Sequence, residues 1–456
     1  MSSLDAGIPE HLPGEPTPID YSLGFLVKEF TFKFVGLWLA LAVALPLWPV
    51  YLLLRLGLAR PPHLPSPGRF AWMMSKVMVG KPPEPGLTVR GRLAMALILS
   101  RNLALTPVFG LAWYLDELLY GRELRQISIV EPLFEISAAR SGSTQLAHYL
   151  EDDPHLVAPT AIQVTYPYLW LWKWAPRIFG SWVSRDWSQT FVSDSVPLEY
   201  LQRHELDPFR TDTFEIIYFL GQWGSVFLGL GPEVMKEYLA PDRLDEHNRD
   251  YWEKDFVSFI DGIGRKTLLY VQHSAQAHPR RLMIKGHFLV VAPALERRYP
   301  DARFLTMVRA PDKRLQSFIN FLRCNPYDHL VGRVPWPWLV AGVMDMEITY
   351  CLDEMAFFQK EGGARRCVVR FDDYVKDLEG TMKLVYRECL DCDEVPPHVP
   401  RVHGDRVRTN YSVDRSLLQL RVNVDQLNQD LADYRVWCRG RGPRMDSAVA
   451  RETPPG

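Results

Sequence analysis

The chain has 456 residues, 47% of them hydrophobic and 23% charged. That composition excludes a disordered or collagen-like polymer and fits one large domain or two of ordinary size. Lysine and arginine total 52 against 54 acidic residues, which argues against a bulk nucleic-acid binder while leaving room for a local basic pocket.

Residues 1–33 read as a flexible tail, its first twenty positions rich in Pro, Gly and acids. Between Lys33 and Arg55 lie 21 residues without a charge. A helix of about 20 apolar residues spans a bilayer core of roughly 30 Å, so 34–54 is predicted to be a single transmembrane helix. Trp48 and Tyr51 suit an interface, and a membrane tolerates Pro46 and Pro49. A buried helix of a soluble protein is the alternative. Two basic residues precede the span and seven lie from Arg55 to Arg92; this bias places the C-terminal part in the cytosol.

Residues 55–126 read as a proline-rich linker followed by a membrane-proximal helical segment. Its apolar stretch 93–121 is interrupted by Arg101, Asn102, Asp116 and Glu117, which suits a core or membrane-surface helix pair better than a second span. From residue 127 short apolar runs (ISIV, LFEIS, RLMIK, ARFLTMV, CVVRF) alternate with helical patterns such as TQLAHYLEDD. Continuous apolar strands between helices predict an α/β domain over 127–437, with a mostly parallel sheet covered on both faces. Residues 438–456 read as a disordered tail. The six cysteines include a CxxC pair, Cys389 and Cys392. With no histidine cluster at zinc spacing beside it, ordinary thiols or a disulfide are expected and no metal.

Two stretches carry the chemistry. The first is Ala139-Arg140-Ser141-Gly142-Ser143-Thr144, between LFEIS and a helical run. Gly142 permits close backbone approach, Ser143 and Thr144 add hydroxyls and Arg140 adds charge, as an anion at a helix N-terminus requires. The lysine of a nucleoside-triphosphate loop is missing, and the same residues also suit a plain helix cap. The second is RFLTMVRAPDKRLQSFIN, in which Arg309 ends a strand and Ser317 follows eight residues later. That spacing lets both converge on one phosphate.

With these motifs the chain resembles the phosphoadenosine-phosphosulfate (PAPS)-dependent sulfotransferases, in particular the tyrosylprotein and bacterial branch. The loop Arg140 to Thr144 is similar to that family's 5′-phosphosulfate loop, and Arg309 with Ser317 to its 3′-phosphate pair. LAHYLEDDPHLVAP, IKGHFLVVAPALERRYPDARFLTMVRAP and VVRFDDYVKDLEGTMKLVYREC resemble further family segments, over about residues 127 to 435. The resemblance implies a P-loop-like mostly parallel sheet flanked by helices, here behind an N-terminal membrane helix. It implies PAPS as co-substrate and PAP as product; the aromatic stretch 163–192, where the family builds acceptor-binding segments, leads to the expectation of a hydroxyl acceptor that is hydrophobic or membrane-associated. Partners would be the membrane and, as an option, a second copy of the chain. It also favours a Golgi or secretory compartment, against the charge bias around the span.

Sulfuryl transfer needs a base for the acceptor proton and donors on the leaving group. Arg140, Ser143 and Thr144 are candidates for the second task, and Lys285 in IKGHF for contact with the phosphosulfate or acceptor. Where relatives carry a glutamate base this chain has Gln163. The candidates left are Asp212, Glu215 and His204 in RHELDPFRTDTFEIIYF, with His287 a further option; acids there also suit a helix start. The aromatic stretch 163–192 fits an acceptor pocket, a membrane interface or a core patch. An inactive PAP- or PAPS-binding relative and a small-molecule P-loop kinase are the rival readings.

Overall fold

The structure is a computed structural model that describes residues 23–79, 89–179, 207–224, 246–273, 280–323, 336–362, 364–397, 399 and 422–440. His204, Cys324, the first 22 residues and the tail beyond residue 440 lie outside the described residues.

Four helices precede the sheet: α1 (Leu23–Ala44), α2 (Trp48–Gly57), α3 (Pro67–Val79) and α4 (Val89–Gln126). A 3-10 turn over Leu45–Leu47 joins the first two, where Pro46 lacks the N–H an α-helix would use. The expected pair of helices over 93–121 is instead one 38-residue helix, with Pro107 inside it. Its polar residues have structural duties. Asn102 Nδ2 donates to Gln222 O at 3.2 Å. The buried Asp116 accepts the N–H groups of Leu169 and Trp170 at 2.7 and 2.8 Å and pairs with Lys266 at 2.8 Å. Lys266 Nζ also sits 3.2 Å from the centroid of the Trp113 ring. The interrupting acid Asp116 is thus paired, as burial demands. Part of the proline-rich linker is packed as well. Tyr114 and Tyr218 hydroxyls donate to Ala59 O and Pro62 O, and His63 lies against Trp113 and Tyr168.

The sheet has five parallel strands in the order β2-β3-β1-β4-β5. They are β1 (Leu133–Glu135), β2 (Leu156–Val157), β3 (Arg281–Lys285), β4 (Arg303–Val308) and β5 (Arg365–Arg370). ISIV is not a strand: Ile127 N bonds Leu124 O at the end of α4, and Glu131 takes a positive φ of 44° before the sheet begins. The edge place goes to the short β2 in HLVAP, whose two residues carry no periodicity to read.

Following β1 are α5 (Ser143–Glu151), α6 (Ala161–Thr165), α7 (Leu169–Phe179), α8 (Phe214–Trp223), α9 (Glu246–Asp250) and α10 (Val257–Gln272). Later come α11 (Ala292–Arg298), α12 (Pro311–Arg323), α13 (Trp336–Gln359), α14 (Phe371–Lys376) and α15 (Leu378–Leu390). One core, with Phe134, Phe214, Phe256, Phe288 and Phe304, covers one side of the sheet; another, with Leu133, Met283, Leu305 and Met307, covers the other. Alternation of those residues along β1 and β4 is why both runs read as uniformly apolar. In the described part of the aromatic stretch, Trp172 is buried and packs on Tyr270, whereas Trp174 is exposed. The described cysteines are free thiols, Cys389 buried and Cys392 donating to Glu394 O at 3.1 Å.

Candidate active site

Because β1 and β4 are neighbours and parallel, the loops that follow them open at the same edge of the sheet. Ser137, just past β1, laces the two together. Its hydroxyl accepts the N–H of Met307 at 2.7 Å and donates to Glu135 Oε1. The chain then turns with positive φ at Arg140 (64°) and Gly142 (100°) before entering α5. A Cβ on Gly142 would lie 2.7 Å from the Phe371 ring and 3.2 Å from Met307 Sδ, so both the backbone angle and the space call for glycine. No side chain caps α5, which leaves its first-turn N–H groups directed toward the loop. Ser141 Oγ is buried and has no partner among the described residues.

The second stretch arrives from β4. Arg140 Nε donates to Ser317 Oγ on α12 at 3.1 Å, and Arg309 Nη1 donates to Arg140 O at 3.1 Å. The Arg309 guanidinium also lies over the Phe371 ring, 4.1 Å from its centroid. The residues picked out of two distant segments therefore form one basic cradle.

Lys285, the last residue of β3, stands beside Glu135 in the sheet register and is buried. Its Nζ donates to Thr144 Oγ1 at 3.3 Å and Thr213 Oγ1 at 3.1 Å, and lies 3.6 Å from Asp212 Oδ1. It thus ties the loop to the start of α8. Asp212 also accepts the N–H of Thr213 at 2.7 Å.

Two buried carboxyls flank this lysine. Burial pushes Glu135 up to about 7, against the pull of Lys285 and of the Ser137 hydroxyl and N–H. Burial likewise raises Glu215 to about 7, opposed by backbone N–H groups and Lys285. Glu215 Oε2 accepts the N–H of His287 at 3.1 Å. One oxygen of each carboxyl, Glu135 Oε2 and Glu215 Oε1, has no partner among the described residues. Gly286 allows this approach, since a Cβ there would lie 2.3 Å from Glu215 Oε2. His287 Nδ1 lies 2.6 Å from Ser137 O. A carbonyl only accepts, so Nδ1 carries the proton and Nε2 is the accepting nitrogen of the neutral ring.

Of the residues named from sequence, Arg140, Ser141, Gly142, Ser143, Thr144, Arg309, Ser317, Lys285, Asp212 and Glu215 gather at this edge; His204 lies outside the described residues. Gln163 Oε1 accepts the N–H of Thr160 at 3.0 Å in a reciprocal cap of α6. Glu135, Ser137, Thr213 and Phe371 were not among the sequence candidates. A lone acid within the apolar run LFEIS was the one available signal, because a charge in a doubly covered strand needs a reason.

No family model and no curated protein matches the chain. Solved structures do. The sulfotransferase STF9 from Mycobacterium avium superposes with a TM-score of 0.57 at 17% identity, over 81% of this chain and 91% of that one. The sulfotransferase STF1 from Mycobacterium tuberculosis H37Rv gives 0.52 at 19% identity, over 80% and 91%. By these superpositions the chain has the fold of the mycobacterial sulfotransferases.

Proposed function

We propose that the chain transfers a sulfuryl group from PAPS to a hydroxyl acceptor and releases PAP, working at a membrane to which its apolar N-terminal helices hold it. The observation that carries the reading is the cradle in which Arg140, Arg309 and Ser317 meet. Its chemistry fits a doubly phosphorylated nucleotide: a buried Ser141 hydroxyl without a partner among the described residues, a helix N-terminus that no described side chain caps and two guanidiniums at one sheet edge. The loop from Arg140 to Thr144 would hold the 5′-phosphosulfate end, and Arg309 with Ser317 the 3′-phosphate. PAPS, when bound, supplies the sulfuryl group and a good leaving group.

The protein's own residues do the rest. Lys285, held by Thr144, Thr213 and Asp212, places a fixed positive charge beside the loop, where charge develops on the leaving oxygen. Asp212 is engaged with that lysine, so its role is to position it. The acceptor's proton goes to His287 Nε2, because the Ser137 carbonyl keeps the other ring nitrogen protonated. Glu215 holds the His287 backbone in place. Gln163 is a helix cap in this scheme and has no part in the chemistry.

A second reading, an inactive PAP-binding relative, is favoured by Gln163 alone. Incubation with radiolabelled PAPS and a panel of hydrophobic alcohols separates the two: label on any alcohol supports transfer, and tight PAP binding without label on any of them supports the binding protein.

A further inference from the structure

Among the described residues, the helices α1 and α2 are packed along one side only. Ala40, Ala44 and Tyr51 are buried against α4, whereas Phe32, Trp38, Leu39, Val43, Leu53 and Leu56 are exposed. From Phe34 to Leu54 this surface carries no charge. A neighbouring helix covers a stripe of about 100°. The exposed residues occupy the remainder of the circumference on both sides of the α4 contact, more than a second helix from another copy of the chain would cover. Fluid acyl chains can cover all of it, so the bilayer is the occupant the surface fits.

The direction of the arm follows from its contacts. Tyr51 lies against Gly110 and stacks on Tyr114, with ring centroids 6.1 Å apart, while Ala59 accepts from the Tyr114 hydroxyl. The two elements therefore run in the same sense. Running in that sense and packed on α4, α1 lies back along the first half of α4. At each level the other flank of α4 is folded protein. Arg92 donates to Val77 O on α3, Asn102 to Gln222 O on α8, and Trp113 lies under Lys266 of α10. Helix α3 is itself fastened to the domain: Arg69 bonds Asn248 Oδ1 at 2.6 Å and lies between the rings of Trp72 and Tyr251. A bilayer crossed by α1 would have to enclose Arg92, Asn102, Arg69 and the domain wall behind them, which hydrocarbon does not accommodate.

We infer that α1 and α2 lie flat in one leaflet as an arm braced by α4, so that the chain does not cross the membrane and its N-terminal tail stays on the side of the candidate active site. Half-exposed Lys33 and Arg55, one near each end of the uncharged stretch, reach the headgroup layer from there. The inference rests on the membrane half of the proposed function and is independent of the sulfuryl-transfer half.

The test uses the full chain with a different epitope tag at each end, in sealed vesicles from the expressing cell, with trypsin added outside. Both tags are expected to share one fate, cleaved together or protected together. One tag cleaved and the other protected establishes a spanning helix and overturns the inference. In parallel, purified chain is floated with vesicles of phosphatidylcholine and phosphatidylglycerol. Wild type floats, and the double variant Trp38→Glu, Leu53→Glu partitions at least about tenfold less with an unchanged melting temperature, because both side chains are exposed. Failure of the wild type to float, or its recovery as a lipid-free dimer, also overturns the inference. Shared fate of the tags in a chain that transfers no sulfate would remove the enzymatic reading and leave this one intact.

Discussion

The guanidinium of Arg140 reaches the hydroxyl of Ser317 across 177 residues of sequence, and Arg309 closes the triangle through the Arg140 carbonyl. This places the loop after β1 and the helix after β4 in one cradle. Each polar partner can be removed without touching the sheet, which makes the cradle open to direct test.

Arg309→Ala is expected to weaken PAP binding by about 10- to 100-fold, the loss of a charge-assisted contact. Calorimetry checks it. The half-buried arginine packs on Phe371 at the edge of the fold, so the melting temperature should move little. Unchanged affinity would show that the cradle does not hold the nucleotide.

Lys285→Met is expected to lower kcat by about 10²- to 10³-fold. It should also destabilise, because Asp212 is left beside Thr213 without its buried cation. The double variant Lys285→Met, Asp212→Asn should recover most of the stability and none of the rate. Thermal melts and single-turnover kinetics on both variants separate the two roles.

Glu135 and Glu215, each pushed up to about 7 by burial, make stability depend on pH. Folding raises both above an ordinary carboxyl near 4.5, so the native state holds these protons more tightly than the unfolded chain. The stability gained is complete below about pH 4.5 and is lost as pH climbs through about 7. For one fully buried carboxyl the change is on the order of 3 kcal/mol. Glu135→Gln should therefore flatten the fall in melting temperature between pH 5 and pH 8, and a slope equal to wild type would refute the assignment.

Gly286→Ala would drive a methyl group into Glu215 Oε2 and the Phe288 ring. A loss of about 1 to 3 kcal/mol is expected. A lower kcat should accompany it, because the His287 N–H bond to Glu215 moves with that peptide. The same variant in the background of Glu215→Ala, where only the Phe288 contact remains, should lose less.

Gln163→Glu should leave stability and turnover close to wild type, since glutamate serves the N3 position of the cap as well as glutamine. Gln163→Ala should cost about 1 kcal/mol. A tenfold or greater gain in rate for the glutamate variant would place the base at this position and displace His287.

Much of this site was legible before the fold was. The two motifs that meet in the cradle are local: a Gly-containing turn, and an Arg with a Ser two helical turns on, are read from their spacing. The parallel sheet followed from uniformly apolar runs, since strands covered on both faces show no alternation. What escaped depends on distant partners. Glu135 reads as an exception in an apolar strand until Lys285 stands beside it in the register. Residues 93–121 read as two helices because polar and charged residues interrupt them, and the distant partners Gln222 and Lys266 explain why one helix tolerates Asn102 and Asp116. ISIV failed as a strand because β-branched content alone does not supply a neighbour to pair with.

The long helix α4 has a practical consequence for anyone preparing this protein. Its flank toward α1 and α2 is lined by Gly110 and Tyr114, while the opposite flank closes the wall behind α8 and α10. Cutting away the greasy N-terminus to obtain a water-soluble fragment would bare an inner seam, since Tyr51 and the Pro61-Pro62 segment leave with it. Such a fragment should aggregate unless detergent takes the place of the missing helices, so solubilisation is better sought by recolouring the exposed apolar residues of α1 and α2 with charge than by shortening the chain.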